Sequence, residues 1–192
     1  MEANQPKYNL IVILGGPASG KGSLCTYLSQ NFDNLCHVST GDLLRLAKDL
    51  DPQFANLMKN GTLLPTSFIG NLIASHIKET CNTNQTVLLD GFPRSKENYD
   101  YLCTQMSEFF NVIGVLVIDC SEKIMLHRAL GRCEGRTDDT IETCKKRIKI
   151  YHEVTEKIID LFDKDLVKRV DGSSDDRLSI YKKVVDLFGF SQ

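Results

Sequence analysis

The chain has 192 residues, of which 42% are apolar and 25% are charged, and its formal net charge is −2. This composition is typical of a soluble globular domain with a sizeable core, and it excludes disordered, collagen-like and fibrous proteins. The longest apolar run, 112–118, is far shorter than the roughly 20 residues that a transmembrane helix needs. Because neither charge dominates, we expect no nucleic-acid partner.

Five short apolar runs predict β-strands, and the segments between them have helical spacing. The predicted strands are 8–14, 35–38, 86–90, 112–119 and 167–170. Ser121 is the predicted N-cap of one helix. A longer helix is predicted to begin at Asp138 or Asp139, where Asp139 and Glu142 have capping-box spacing. One face of that helix is predicted to hold Ile141, Cys144, Ile148, Tyr151, Ile158 and Leu161.

The order of these elements predicts the fold class. Strands that are apolar on both faces and alternate with helices predict a parallel sheet covered by helices on both sides. No repeat, low-complexity tract or linker divides the chain, so we expect one domain over residues 1–192. In folds of this kind, ligands bind at the carboxyl ends of the strands.

The cysteines and the first residues bear on the cellular compartment. The seven cysteines are an odd number without a C-x-x-C pair, which is typical of reduced thiols in an intracellular protein. Residues 1–9 lack an apolar stretch behind a basic start and therefore do not resemble a secretory signal. We expect a cytoplasmic protein, with the nucleus as an additional location, that binds no membrane.

A glycine-rich loop directly follows the first predicted strand. From Gly15 to Ser23 it reads G-G-P-A-S-G-K-G-S, with the G-x4-G-K spacing of a P-loop. In such a loop main-chain N–H groups cradle phosphates, Lys21 contacts the terminal ones, and Ser23 supplies a hydroxyl for Mg²⁺. A dinucleotide-binding loop is excluded, because the third Gly of G-x-G-x-x-G is missing. The remaining alternative is a glycine-rich connection that binds no ligand.

Two further motifs follow the second and third predicted strands. In S-T-G-D-L-L-R, Ser39 or Thr40 can cap a helix that directs Arg45 towards an anion. In D-G-F-P-R, Asp90 lies at the carboxyl edge of the sheet, where it can hold Mg²⁺ through water opposite the P-loop, and Arg94 follows. Taken alone, the first motif also suits a capped helix with a solvated Arg, and the second suits an Asp-Gly turn.

Arginine is scarce, and its positions are informative. Of the 23 basic residues only eight are Arg, and six of these lie in or near the motifs: Arg45, Arg94, Arg128, Arg132, Arg136 and Arg147. Because Arg suits planar, bidentate contacts with phosphate, this distribution predicts that several phosphate groups converge there. The alternative for the last four is a solvated basic segment. The four histidines have no metal-ligand spacing and are predicted to be structural or solvated.

The three motifs resemble those of the nucleoside monophosphate kinases, the adenylate kinase family, whose patterns are G-x-P-G-x-G-K-G-T, S-[TA]-G-D-L-L-R and D-G-[FY]-P-R. The resemblance extends from about Leu10 to the end of the chain. It implies a P-loop α/β/α fold with a central parallel sheet of about five strands. It also implies ATP as donor, a nucleoside monophosphate as acceptor, Mg²⁺ as cofactor, and a monomer with an acceptor-binding arm at about 39–65 and a short lid at about 132–139.

The resemblance also implies a role for individual residues. The catalytic residues would be Lys21, Arg94, Arg132, Arg136 and Arg147. ATP would contact Gly16, Pro17, Ala18, Ser19, Gly20, Lys21, Gly22, Ser23, Arg128, Arg132 and Gly172, with Arg128 stacked on the base. The acceptor would contact Thr40, Arg45, Gly61, Thr62, Leu63, Gly91, Phe92, Arg94, Asn98, Arg136 and Arg147. Mg²⁺ would be held through water by Ser23 and Asp90.

The chain departs from the family pattern at several places. Ala18 stands where the family has Gly, which would cost on the order of 1 kcal/mol if the backbone there needs a positive φ. The acceptor arm and the lid are shorter than the usual pattern, and Cys133 is the only cysteine of the lid, so we expect no zinc-bearing lid.

The signals for the acceptor base conflict. Thr40 resembles the adenylate kinases, which act on AMP, whereas Asn98 resembles the UMP-CMP kinases. We give Asn98 more weight, because a side chain that pairs with the edge of a base discriminates more strongly than a nearby hydroxyl. The sequence therefore predicts UMP or CMP as acceptor, with AMP as the near alternative. A P-loop protein that binds nucleotide without transferring phosphate is the alternative from a different class.

Overall fold

The computed structural model describes residues 7–50, 64–131 and 140–191. Its strands are β1 (Tyr8–Gly15), β2 (Leu35–Ser39), β3 (Thr86–Asp90), β4 (Phe110–Asp119) and β5 (Val167–Asp171). Its α-helices are α1 (Lys21–Asn31), α2 (Thr40–Leu50), α3 (Thr66–Thr80), α4 (Lys96–Thr104), α5 (Glu122–Leu130), α6 (Ile141–Ile150), α7 (Glu156–Ile159) and α8 (Arg177–Phe188). A π-helical segment, Tyr151–Thr155, joins α6 to α7, and a 3-10 turn, Lys164–Leu166, precedes β5.

All strand pairs in the sheet are parallel, and the strand order is β2-β3-β1-β4-β5. The predicted α/β/α fold class is thereby confirmed. The chain leaves the central strand β1 in one direction to form β2 and β3, and it later crosses to the other side to form β4 and β5. The loop after β1 therefore lies at the point where the strand order reverses, and such a point opens a crevice for ligands.

The core has two halves, one on each face of the sheet. Along β1, Leu10 and Val12 belong to the half under α3 and α4, whereas Ile11 and Ile13 belong to the half under α1 and α8. All four side chains are at most 2% exposed. Burial of such a side chain contributes about 1.5–3 kcal/mol, so this continuous apolar strand stabilises both layers.

The strand register determines which residues meet at the carboxyl edge. Asp90 at the end of β3 pairs with Ile13 of β1 on one side and with Ser39 of β2 on the other. Gly15 pairs with Ile118 of β4. The phosphate loop, the S-T-G-D motif and the D-G-F-P-R motif are thus neighbours in space, although more than 50 residues separate the first from the last.

The long helix after the lid differs from its prediction. The N-cap is Thr140, whose side chain forms a capping box with Thr143 rather than the predicted Asp139 with Glu142. Asp138 and Asp139 lie outside the described residues. Ile141 and Leu161 are 54% and 40% exposed, so they do not belong to the predicted apolar face. Ile141 is the first residue of α6, and Leu161 lies beyond the end of α7 at Ile159, so both are at the ends of the helical run. The predicted residues between them, Cys144, Ile148, Tyr151 and Ile158, are buried.

Two smaller sequence-based predictions also need correction. Ser121 is the N-cap of α5 as predicted, but its side chain makes no capping hydrogen bond. The strand predicted at 112–119 begins two residues earlier, and a register shift opposite Leu10 and Ile11 leaves Ile113 41% exposed. A bulge of this kind places one extra residue in the strand and directs it away from the core.

The prediction that every cysteine is a reduced thiol is wrong for one pair. Cys36 on β2 and Cys81 directly after α3 form a disulfide, with Cα atoms 6.1 Å apart. Cys25, Cys103, Cys120 and Cys144 are free thiols, and Cys133 lies outside the described residues. The two bonded residues are 45 positions apart in the sequence and meet only because β2 and the end of α3 lie side by side.

The acceptor arm and the lid lie partly or wholly outside the part of the chain that the structure describes. Residues 51–63 of the arm and all of 132–139 belong to the undescribed part. Among the helices of the described part, none combines the length and the apolarity that crossing a membrane requires.

The disulfide leads to a prediction about stability. We expect Cys36→Ser to lower the thermal midpoint, measured without reductant, by about 5 °C or more, because a cross-link between distant residues restricts the unfolded chain. Peptide mapping without reduction should recover the peptides of Cys36 and Cys81 as one linked species. The control is Cys103→Ser, which removes an exposed free thiol. Equal midpoints for the two variants would contradict the prediction.

Candidate phosphoryl-transfer site

The phosphate loop folds around the ammonium group of Lys21. Its Nζ atom donates hydrogen bonds to the carbonyl oxygens of Gly15 and Gly16, both at 2.7 Å, and lies 3.4 Å from the Oγ atom of the buried Ser19. The helix α1 begins at Lys21, so the free N–H groups of its first turn face the same space. A positive side chain and a helix N-terminus together favour an anion there.

Close packing around the loop explains why position 16 is glycine and how Ala18 is accommodated. A Cβ atom at Gly16 would lie 2.1 Å from the Sδ atom of Met125, so only glycine leaves room for α5 to pack on the loop. Ala18 has a φ of +57°, the left-handed conformation that costs an L-residue roughly 1–2 kcal/mol. The expectation of a strained position at Ala18 is thereby confirmed. Its methyl group is 6% exposed and packs with Ala129 and Cys144, which offsets part of that cost.

Asp90 lies beside the first turn of α1 at the end of β3. A Cβ atom at Gly22 would lie 3.6 Å from the Oδ2 atom of Asp90. The Nε2 atom of His37 lies 3.8 Å from the same Oδ2 atom. Burial raises the pKa of Asp90, but the neighbouring His37 ring and the charges of Lys21 and Arg94 outweigh it, so the pKa is lowered overall. Asp90 is therefore an ionised carboxylate at neutral pH.

Arg94 is held against the loop that precedes it. Its Nε atom donates to the carbonyl oxygen of Gly91 at 2.7 Å. Gly91 has a φ of +86°, and a Cβ atom there would lie 2.9 Å from the Arg94 Nη2 atom. Glycine at this position thus permits both the turn and the close approach of the guanidinium group. Phe92 is 1% exposed and anchors the loop in the core.

The charges of two further arginines act on Arg94. Removal from solvent lowers the pKa of Arg94, the charge of Asp90 raises it, and the charges of Arg147 and Arg45 lower it. These side chains come from the loop after β3, from α6 and from α2, and solvent still reaches Arg94 through the open cleft. Like charges this close repel one another, so the arrangement favours binding of an anion with several negative oxygens.

The residues predicted to contact the acceptor base are buried. Asn98 is 6% exposed, its Nδ2 atom donates to the Oγ1 atom of Thr66 at 2.8 Å, and its Oδ1 atom accepts from the Arg94 N–H at 3.1 Å. One N–H and one lone pair of this amide remain for a base. Thr40 is 2% exposed, and its Oγ1 atom has no hydrogen-bond partner among the described residues. Ser39, rather than Thr40, caps α2, because its Oγ atom accepts from the Asp42 N–H at 3.2 Å.

On the opposite side of the phosphate loop, Arg128 holds the loop that follows β5. Its Nη1 atom donates to the carbonyl oxygen of Gly172 at 2.6 Å, and its Nη2 atom donates to that of Ser174 at 2.9 Å. These bonds lie in the plane of the guanidinium group, so they do not use its flat faces. A Cβ atom at Gly172 would lie 3.1 Å from the carbonyl oxygen of Ser19, which places this segment against the phosphate loop.

The predicted metal-binding residues suit a hard cation that keeps its water. Ser23 is exposed on the first turn of α1, and the ionised Asp90 lies beside the same turn. Within the described ranges, no group of three or more His, Cys, Asp or Glu side chains is arranged to hold a metal ion. Mg²⁺ is usually held by one or two side chains together with water and substrate phosphates, so the two residues fit it.

The structure describes most of the predicted site residues, but not all of them. The charges of Lys21 and Arg94 act on Asp90, and those of Arg45 and Arg147 act on Arg94. Arg128 is bonded to Gly172, which lies against the phosphate loop at Ser19. Five of the predicted site residues lie outside the described part of the chain: Gly61, Thr62, Leu63, Arg132 and Arg136.

The sequence analysis missed two residues of this cleft. His37 contacts Asp90, and Thr155 contacts Arg94. His37 could have been found from its place two residues before Ser39, near the carboxyl end of β2. No pattern in the sequence points to Thr155.

Comparisons with known proteins agree with this geometry. The family model described as adenylate kinase matches residues 13–167. A UMP-CMP kinase of Danio rerio is 36% identical over 178 residues, which cover 87% of this chain and 90% of the relative. UMP-CMP kinase 2 of Caenorhabditis elegans is 37% identical over 169 residues, covering 85% and 87%. The UMP-CMP kinase of Homo sapiens is 33% identical over 190 residues, covering 93% and 96%. The resemblance found in the motifs is thereby confirmed, and the chain belongs to the adenylate kinase family, the nucleoside monophosphate kinases.

Proposed function

We propose that the chain transfers the γ-phosphoryl group of ATP to UMP or CMP, giving UDP or CDP and ADP. The observation that carries the proposal is the strand register, which brings the phosphate loop, the motif of Arg45 and the motif of Arg94 to one edge of the sheet. A cleft with this much positive charge suits two nucleotides that face each other through their phosphates. The pyrimidine acceptor is supported by the relatives, which are named UMP-CMP kinases and align with most of this chain.

The geometry suits a reaction that depends on positioning and charge. The attacking group is a phosphate oxygen that is already anionic, so the reaction needs no general base. Lys21 and the N–H groups of the phosphate loop would hold the donor phosphates, and Arg94 with Arg147 would neutralise the equatorial oxygens of the transferred group. Arg132 and Arg136 would complete this cage from the lid, as the family resemblance implies.

Mg²⁺ is the cofactor that the donor set supports best. Ser23 and Asp90 would hold it, Asp90 through water, and the bound ion would neutralise charge on the donor phosphates. The lowered pKa of Asp90 supports this role, because the carboxylate stays ionised at neutral pH. The donor base would stack on a flat face of Arg128, beside the segment at Gly172 that Arg128 holds through its edge.

Asn98 and Thr40 would face the acceptor base. Asn98 retains one donor and one lone pair after its bonds to Thr66 and Arg94, and either pyrimidine edge can use such a pair. Its rigid placement supports discrimination, because a base without the matching groups would leave a buried amide unpaired. Gly61, Thr62 and Leu63 would add main-chain contacts from the acceptor arm. Monomeric state and a cytoplasmic location belong to the same proposal.

The acceptor preference can be measured directly. An assay that couples ADP release to a colour change, run with UMP, CMP, dCMP and AMP, should give UMP or CMP a kcat/KM at least about tenfold above that of AMP. AMP as the best acceptor would overturn the pyrimidine assignment and leave the kinase assignment in place. Tight ATP binding without transfer to any of the four would overturn both.

The role of Arg94 predicts a specific loss. Arg94→Ala should lower kcat by about 100-fold or more and raise the KM for the acceptor, because one guanidinium group of the cage is lost. Arg177→Ala is the matched control, since Arg177 is exposed at the start of α8, which packs on the face of the sheet opposite to Phe92 and α4. Circular dichroism should show an unchanged fold for both variants. Equal kinetics of the two variants would contradict the role of Arg94.

A further inference from the structure

Thr155 contacts the loop that carries Arg94, although 61 positions separate the two residues. Its Oγ1 atom donates a hydrogen bond to the carbonyl oxygen of Arg94 at 3.0 Å. Thr155 is only 8% exposed, so this hydroxyl lies inside the protein. Because this buried hydroxyl donates to the main chain of Arg94, it links that main chain to the segment that carries Thr155.

Arg94 takes part in three hydrogen bonds, and the third comes from a residue that is distant in the sequence. Its Nε atom donates to the carbonyl of Gly91, and its N–H donates to the side chain of Asn98. Both partners lie within four residues along the chain, one in the loop itself and one in the first turn of α4 that directly follows it. The bond from Thr155 comes from a helical segment that follows the loop by about 60 positions in the sequence.

That same helical run carries Arg147 towards Arg94. Arg147 lies in α6, and Thr155 ends the π-helical segment Tyr151–Thr155 that follows it. In a regular α-helix, residues eight positions apart differ in direction by about 80°. A π-helical turn accommodates about one extra residue, which reduces the difference to about 20°. Arg147 and Thr155 therefore face the same side, towards the Arg94 loop.

Apolar packing alone does not determine how this helix sits along the site. Ile158 and Ile159 of α7 belong to the same core cluster as Phe92, so the helix is seated against the loop. Apolar contacts are non-directional and tolerate small shifts along the surface. A buried hydrogen bond restricts the distance between its two atoms to a few tenths of an ångström.

We infer that Thr155 is a positioning residue for phosphoryl transfer: its hydroxyl ties the helix of Arg147 to the loop of Arg94 and so sets the spacing of their two guanidinium groups. The inference rests on the proposed function, because it concerns the same transferred phosphate. Thr155 itself does not touch a substrate in this assignment. Without the hydroxyl, the helix and the loop would remain packed, but the two positive groups would no longer be held at one separation.

The test uses substitutions that separate the hydroxyl from the shape of the side chain. Thr155→Val keeps the shape and removes the hydroxyl, and Thr155→Ser keeps the hydroxyl and removes a methyl group. Thr155→Ala also lacks the hydroxyl and avoids any crowding, so it replaces Val if that variant does not fold. Thr104→Val is the matched control, because Thr104 donates to the carbonyl of Asp100 at 2.7 Å on the exposed side of α4, away from the cleft.

We expect Thr155→Val and Thr155→Ala to lower kcat by about 10- to 100-fold, because a misplacement of about 1 Å has effects of this size on a reaction that depends on orientation. The KM for ATP should stay within about twofold of the original, because the phosphate loop is unchanged. Thr155→Ser and Thr104→Val should keep kcat within about threefold of the original. Thermal melting, recorded for each variant, identifies losses that come from unfolding.

A double-mutant cycle with Arg94→Lys tests whether Thr155 acts through Arg94. In that background Thr155→Val should lower kcat by less than about threefold, because the group that Thr155 positions is already altered. A kcat for Thr155→Val and Thr155→Ala equal to that of Thr104→Val would overturn the inference. So would fully additive losses in the cycle, or an equal loss in Thr155→Ser.

The acceptor for these assays is whichever of UMP, CMP, dCMP and AMP the unaltered chain phosphorylates best. If AMP is best, the pyrimidine proposal fails while the role of Thr155 is still tested with AMP. If none is phosphorylated, both the proposed function and this inference are overturned.

Discussion

The repulsion among the guanidinium groups of Arg45, Arg94 and Arg147 is the constraint on which the rest of the site depends. The charges of Arg45 and Arg147 act against that of Arg94, and the nearby Asp90 carboxylate favours it. Such a cluster is stable only if the scaffold holds each group by other means. Gly91, Asn98 and Thr155 hold Arg94 through its side chain and main chain, and Asp42 pairs with Arg45. The phosphates of the two nucleotides would then replace repulsion with attraction when they bind.

The parallel sheet makes this concentration of charge possible. Its register brings Gly15, Ser39 and Asp90 to the same edge, so a phosphate-binding loop, a capped helix and a buried carboxylate share one crevice. The continuous apolar strands below the crevice stabilise both layers and allow the edge itself to be polar and strained. Ala18 in a left-handed conformation is one such strained residue, and its buried methyl group compensates in part.

The two proposed nucleotide-binding sides differ in how fully their side chains are hydrogen-bonded. On the proposed donor side, Arg128 is bound to the main chain at Gly172 and Ser174, so the loop after β5 is held in place. On the acceptor side, Asn98 is held by Thr66 and by the Arg94 main chain, whereas the Thr40 hydroxyl is buried with no partner in the described ranges. Preorganised donors favour specificity, because little ordering is left for the binding step.

The sequence by itself determined the strand–loop–helix alternation, the three phosphate motifs and the family, because each depends on residues within about ten positions of one another. Only the tertiary structure decided the features that depend on distant contacts. The disulfide between Cys36 and Cys81, the contact of His37 with Asp90 and the bond from Thr155 to Arg94 join segments that no local pattern relates. The helical period likewise placed Ile141 and Leu161 in the core, but Ile141 begins α6 and Leu161 follows the end of α7, and only packing decides where the buried part of a helix starts and ends.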